Sequence, residues 1–216
     1  MKRFLRNAVY PNRCPFCDSV IEESRCACTY CSGRLPEYSM KKYAYGGYFC
    51  AAPFRYDGVF AEAVKRFKYR RRSNYTDDMG FYIVNSILEL YTHEEIGNFD
   101  LVTCVPMHIK DLRVRKHNQA ELLGRACAKI LEKEYAETLD KIRYNKKQHT
   151  LKASERRENV KGVFTCRDPE LVKDKNVLII DDIITTGATL GECAKILKKA
   201  GCASVSCAVF CASAGV

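Results

Sequence analysis

Residues 177–189 read Val-Leu-Ile-Ile-Asp-Asp-Ile-Ile-Thr-Thr-Gly-Ala-Thr, and no other stretch constrains the fold of this chain as strongly. Val177 to Ile180 have the length and branching of a strand buried on both faces. Two carboxylates, Asp181 and Asp182, stand where that strand should end, and a small hydroxyl-and-glycine stretch, Thr185-Thr186-Gly187-Ala188-Thr189, follows. A helix-competent segment then runs to Lys199. A strand that passes through such a loop into a helix is a phosphate cradle. Gly187 permits a backbone with φ > 0, loop N–H groups point inward, and the helix N-terminus adds partial positive charge. Two hydroxyls of a sugar diol can each donate to a carboxylate of the acidic pair. Phosphate on one side and a diol on the other describe a ribose 5-phosphate. The same run would also fit a buried strand followed by an ordinary capped helix, where Thr or Asp is expected anyway.

The order of these features (apolar strand, two acids, two apolar residues, Thr-Thr-Gly-x-Thr) resembles the PRPP-binding motif of type I phosphoribosyltransferases. That resemblance implies acids on the ribose hydroxyls, a loop on the 5-phosphate, and Mg²⁺ on the pyrophosphate.

A second signal lies near the other end. Cys14-Pro15-Phe16-Cys17 and Cys28-Thr29-Tyr30-Cys31 are two C-x-x-C knuckles. Each can set two thiolates on one face of a tight turn, and together they offer four sulfurs to a structural Zn²⁺. Disulfides are the competing reading. The cysteine count of 13 is odd, however, and the basic start from Met1 to Asn7 lacks the apolar core of a signal peptide. No run reaches the roughly 18 apolar residues of a membrane span, so a reducing cytoplasmic setting is expected, which favours metal over bridges. Cys26 could replace Cys28 as a ligand, although Cys28 keeps the x-x spacing with Cys31.

Between these signals, strands and helices alternate. Strands are expected at 49–56, 101–105, 138–142, 177–180 and 203–210, and helices at 59–69, 79–91 and 119–131. The last strand is preceded by a helix ending near Gly201. Such alternation predicts an α/β fold with a mainly parallel sheet, helices on both faces, and ligands beyond the carboxyl ends of the strands. The first ~45 residues are too short to bury much surface, and metal would compensate. The expected layout is a zinc-ribbon-like module over 1–47 and an α/β domain over 48–216, with the boundary at Tyr45-Gly46-Gly47.

Two more segments extend the pattern. Cys104-Val105-Pro106-Met107-His108 is followed by Lys116-His117-Asn118-Gln119, and Gln148-His149-Thr150-Leu151 leads to Arg156-Arg157-Glu158-Asn159-Val160-Lys161-Gly162-Val163-Phe164. Together with the cysteine knuckles, these resemble the ComF family of bacterial competence proteins, which join a cysteine zinc module to a type I phosphoribosyltransferase-like domain. Members usually show Gly-Phe-Asn-Gln where this chain has Lys116-His117-Asn118-Gln119, so the backbone at 116–117 is where a departure is expected. The resemblance implies a pyrophosphate-facing loop at 106–110 that includes Pro106, and a hood over 145–162. Arg113, Arg115, Lys147 and Arg156 are candidate anion contacts, since Mg²⁺-pyrophosphate still carries net negative charge.

The chain carries 36 Lys and Arg against 26 acids, a net charge of +10. Lys65, Arg66, Lys68, Arg70, Arg71 and Arg72 cluster around Phe67 and Tyr69. Basic side chains track phosphates and aromatics stack on unpaired bases, so this cluster is a candidate footprint for single-stranded DNA; a solvated helix face would look the same. Three functional classes follow. A binding module for PRPP or a nucleotide-like ligand would serve DNA uptake beside a helicase-like partner. An active PRPP-dependent transferase of nucleobase or nucleoside metabolism would use Asp181 and Asp182 catalytically, but no base-recognition segment is evident after the last strand. A PRPP-sensing regulator would differ from the first only in output.

Overall fold

In the computed structural model, the described residues are 11–22, 25–69, 75–145 and 153–213; of residues 69 and 153–156 only the backbone is described. A seven-stranded sheet forms the centre. Its strands are β1 (Met40–Ala44), β2 (Tyr48–Ala52), β3 (Phe54–Arg55), β4 (Leu101–Cys104), β5 (Glu134–Tyr135), β8 (Asn176–Ile184) and β9 (Ser204–Ala212). The order is β1-β2-β9-β8-β4-β5, with β3 also paired to β9. All neighbours run parallel except the β1–β2 hairpin. A separate antiparallel pair, β6 (Leu139–Lys141) and β7 (Phe164–Cys166), stands apart from the sheet.

The continuous apolar run in β8 has a direct cause. Leu178 and Ile180 enter one core cluster while Val177 and Ile179 enter the other, and all four have no exposed surface. A strand covered on both faces cannot alternate apolar with polar residues. Fully burying each of the larger side chains is worth roughly 1.5–3 kcal/mol. On the Leu178 face lie α2 (Gly58–Tyr69), α3 (Thr76–Leu90) and α6 (Gln119–Leu131); on the Ile179 face lie α7 (Ala153–Val160) and α9 (Ala188–Lys199). Short helices α1 (Thr29–Ser32), α4 (His93–Gly97), α5 (Ile109–Arg115) and α8 (Pro169–Val172) complete the described elements.

Several boundaries differ from expectation. The strand expected over 49–56 breaks at Pro53, which has no N–H to give a ladder, so β2 and β3 pair with β9 separately. Asp181 and Asp182 lie within β8 rather than past its end, because pairing with β9 continues to Ile184 opposite Ala212. The strand expected over 138–142 joins β7 and not the main sheet. The glycine turn at 45–47 is the hairpin between β1 and β2, so the strand before it is an edge of the main sheet.

The cysteine-rich segment packs into the same core. Phe16 is 1% exposed, with its ring 5.3 Å from Phe54, 5.4 Å from Phe60 and 5.3 Å from Tyr82. Arg66 on α2 donates from Nη2 to the carbonyls of Pro15 (3.0 Å) and Phe16 (2.5 Å), and Tyr75 donates to Asp18.

Candidate functional site

The loop from Thr185 to Gly187 joins β8 to α9 at the carboxyl end of the sheet. Gly187 caps α9 with φ +69°, and its backbone lies against the β1–β2 turn. A Cβ there would fall 2.6 Å from Ala44 Cα and 2.9 Å from Tyr45 N, so both conformation and space demand glycine. The Tyr45 N–H donates to the Gly187 carbonyl at 3.1 Å. Thr186 Oγ1 is buried and has no hydrogen-bond partner among the described residues. Ala188 is buried at the first turn of α9, while Thr185 is exposed and Thr189 half-buried. A buried hydroxyl beside a helix N-terminus is suited to donate to an anion's oxygen.

The two acids precede this loop. Asp181 Oδ1 accepts from the Asp182 N–H at 2.8 Å. Burial first, and then the adjacent Asp182 charge, push the Asp181 carboxyl up to about 7. Asp182 binds Lys68 Nζ from α2 at 2.9 Å, with side chains 12% and 20% exposed. Burial opposes the Lys68 charge, but Asp182 outweighs it and the ammonium is held charged. Asp181 is also within electrostatic reach of Lys141 of β6, whose pKa is lowered chiefly by burial and raised in part by Asp111 and Asp181. Arg115 of α5 is within electrostatic reach of both lysines. The structure therefore gathers Asp181, Asp182, Lys68, Lys141 and Arg115 around the carboxyl ends of β4 and β8.

Pro106 lies in the exit loop of β4 and lines a cavity of about 270 Å³ with Met107, Asn118, Leu139, Lys141 and Arg167. His108 caps α5 by accepting from the Lys110 N–H, and its ring lies 5.1 Å from Tyr144 beyond β6. The loop after β4 thus touches the segment that leaves the β6–β7 pair. Arg113 is exposed on α5. Lys147 lies outside the described residues, as does the side chain of Arg156.

The four knuckle thiols converge. Sulfur atoms of Cys14, Cys17, Cys28 and Cys31 all lie within 4.8 Å of one another, with Cys17 and Cys28 3.6 Å apart. A tetrahedral zinc bound at about 2.3 Å sets its sulfurs about 3.8 Å apart, so the donor set fits Zn²⁺. Cys26 is outside this group and interacts with Asp78 instead, which resolves the choice in favour of Cys28.

A phosphoribosyl transferase domain matches residues 118–215. The DNA utilization protein YhgH of Escherichia coli O157:H7 is 28% identical over 68% of this chain and 65% of that protein, so the match spans just under two thirds of that relative. The protein of the same name from Escherichia coli K12 is 24% identical over 92% of this chain and 83% of its own. Competence protein F of Haemophilus influenzae is 27% identical over 64% of this chain and 61% of its own. These matches support the resemblance to the ComF family.

The ComF motif residues at 116–119 each have a place. Lys116, where members usually have Gly, adopts φ +72° and caps α5, so the turn survives without its glycine. Asn118 caps α6 and donates to the Val105 carbonyl at 3.1 Å, which pins the exit of β4. Gln119 accepts from Arg115 (3.3 Å) and donates to the Lys68 carbonyl (3.5 Å), tying α5 to the end of α2. His117 Nε2 is buried with no partner among the described residues.

The basic cluster of α2 divides. Lys65 is exposed and pairs with Glu62, Arg66 lies under the first knuckle, and Lys68 reaches Asp182. Phe67 is fully buried and offers no face to a base. Arg70, Arg71 and Arg72 lie outside the described residues. Lys68, which the sequence offers only as a candidate DNA contact, and Lys141, which it does not single out, stand near the acidic pair. The only local hint was that the cluster spans several helix faces, so that neighbours in sequence cannot act together.

Proposed function

We propose that this chain binds PRPP or a related ribose 5-phosphate ligand and serves DNA uptake or the use of internalised DNA. Asp181 and Asp182 accept from the ribose hydroxyls, and Thr185 to Thr189 cradle the 5-phosphate. Arg113 and Arg115, with the loop at Pro106, are the pyrophosphate contacts of this reading, and Lys147 and the side chain of Arg156, which lie outside what the structure describes, are further candidates. Mg²⁺, when bound with the ligand, would offset pyrophosphate charge. The observation that carries this reading is Thr186 Oγ1, buried without a partner among the described residues beside a left-handed Gly187 at the start of α9. The acids on the preceding residues supply the second half of the ligand's chemistry.

The DNA role draws on the names of the relatives, a DNA utilization protein and a competence protein, together with the net charge of +10. Single-stranded DNA and a helicase-like partner are the macromolecules this reading names. Arg70 to Arg72 are its test: reversing their charge should weaken DNA binding and flatten its salt dependence, since each neutralised phosphate releases counterions. Unchanged binding would remove DNA from the account of that segment.

The alternative is a working transferase, in which a nitrogen nucleophile attacks C1 of the ribose as pyrophosphate departs. Pyrophosphate release from Mg²⁺-PRPP, measured across a panel of nucleobases, decides between the two. Base-dependent release that vanishes on changing Asp181 and Asp182 to Asn makes the chain an enzyme. No release with PRPP still bound makes it a binding module, and release indifferent to both acids overturns the site.

A further inference from the structure

Lys68 stands two residues beyond Arg66 on α2, and the same short stretch of helix meets both the cysteine knuckle and the acidic pair. Its ammonium lies 2.9 Å from Asp182 Oδ2, and both side chains are largely removed from solvent. A buried ion pair is a poor way to hold a helix on a sheet, because desolvation offsets most of the attraction and apolar residues pack at less cost. On α2, Val64 and Phe67, both fully buried, already perform that packing. The pair calls for a different explanation.

We propose that Lys68 is a positioning residue of the ribose site, holding Asp182 by one oxygen and aiming it so that its other oxygen accepts a ligand hydroxyl. This deepens the ribose-phosphate reading and rests on it. Asp181 and Asp182 are adjacent, and two neighbouring carboxylates resist ionising together. A protonated carboxyl would donate where the diol also needs to donate. With Lys68 on Oδ2, the lone pairs of Oδ1 are left to face the ligand.

The delivery of Lys68 is fixed from two directions. Arg66 Nη2 is bound to the carbonyls of Pro15 and Phe16, and Gln119 donates to the carbonyl of Lys68 itself. The cysteine knuckle and α6 therefore set the reach of the ammonium. Lys141, which feels Asp181, and Arg115, which feels both lysines, add further positive charge near the acidic pair.

The test is calorimetric titration of the full chain with ribose 5-phosphate, 2-deoxyribose 5-phosphate and inorganic phosphate. Wild type should prefer the ribose sugar over the deoxy sugar by about tenfold or more, as expected for a hydrogen bond to a charged acceptor. Lys68→Met should lose that preference while binding inorganic phosphate as wild type does, and Lys68→Arg should restore most of it. If Lys68→Met does not fold, Lys68→Gln, which keeps a donor without the charge, replaces it. A Lys68 variant that retains the sugar preference overturns the proposal, as does one that loses phosphate and sugar binding equally. If Asp182→Asn abolishes the preference and the Lys68 variants do not, the ribose reading stands and this inference falls. If wild type shows no preference between the sugars, the ribose reading itself fails and takes the inference with it.

Discussion

The N–H of Tyr45 donates to the carbonyl of Gly187 at 3.1 Å, so the β1–β2 turn buttresses the loop that opens α9. The two backbones approach so closely that a side chain at either Gly187 or Gly191 would strike residues 44–45. The geometry of the proposed phosphate cradle is thus set partly by a hairpin at the far edge of the sheet.

Gly187→Ala should therefore cost stability as well as binding. The left-handed conformation alone penalises an L-residue by about 1–2 kcal/mol, and the contact with Ala44 adds to that. For a chain of this size each kcal/mol lowers Tm by about 2–4 °C. Thermal melting should show a drop of at least that order, and phosphate binding should be lost at temperatures where the variant is folded. A variant that melts and binds like wild type would remove Gly187 from the account.

Lys116 invites the opposite experiment. It holds φ +72° at the end of α5, in the left-handed region that favours Gly. Lys116→Gly should relieve strain and raise stability by about 0.5–1 kcal/mol, a Tm gain of a few degrees. A fall in Tm would mean that the lysine side chain contributes more than its backbone costs.

The acidic pair predicts a pH dependence. Burial and the Asp182 charge push the Asp181 carboxyl from an ordinary 3.8 up to about 7. Below that value it is protonated and no longer a pure acceptor, so ribose 5-phosphate binding should strengthen as pH rises from 6 to 8. The limit is about tenfold per unit below the pKa. Folding follows the reverse sign: the folded state retains a proton that the unfolded chain releases, so this group's contribution to stability declines as pH rises from about 4 to 7. Asp181→Asn should flatten both profiles, and persistence of either would assign it to another group.

The cysteine cluster is tied to the main core through Phe16, so metal loss should reach beyond the knuckles. Metal analysis of reduced protein should find about one zinc per chain, and a strong chelator should lower Tm markedly. Because Arg66 and Lys68 share α2, chelation should also weaken ribose 5-phosphate binding. Absence of zinc would contradict the assignment of the four thiols.

Much of the architecture is legible in the sequence because it rests on local chemistry. The helix at 119–131 follows from the spacing of its apolar residues and the Asn118 cap, and the strand at 177–180 from its unbroken branched residues. Both knuckles follow from their x-x spacing. What sequence hides is pairing across the fold. The extension of β8 past its acids depends on β9 continuing alongside it. The edge strand at 40–44 is short and half polar, and takes its place only through pairing with β2. Lys68 looked like one member of a basic run because it is adjacent to Lys65 and Arg66 in sequence. On the helix these three point to solvent, to a knuckle and to a carboxylate on another element.

The central claim is tested most directly by titrating Mg²⁺-PRPP into the wild-type chain and into the variant with both Asp181 and Asp182 changed to Asn. The account predicts saturable binding by wild type and a loss of at least about a hundredfold in the variant, in line with two charged hydrogen bonds removed. Equal affinity for the two proteins, or no binding by wild type, would contradict it.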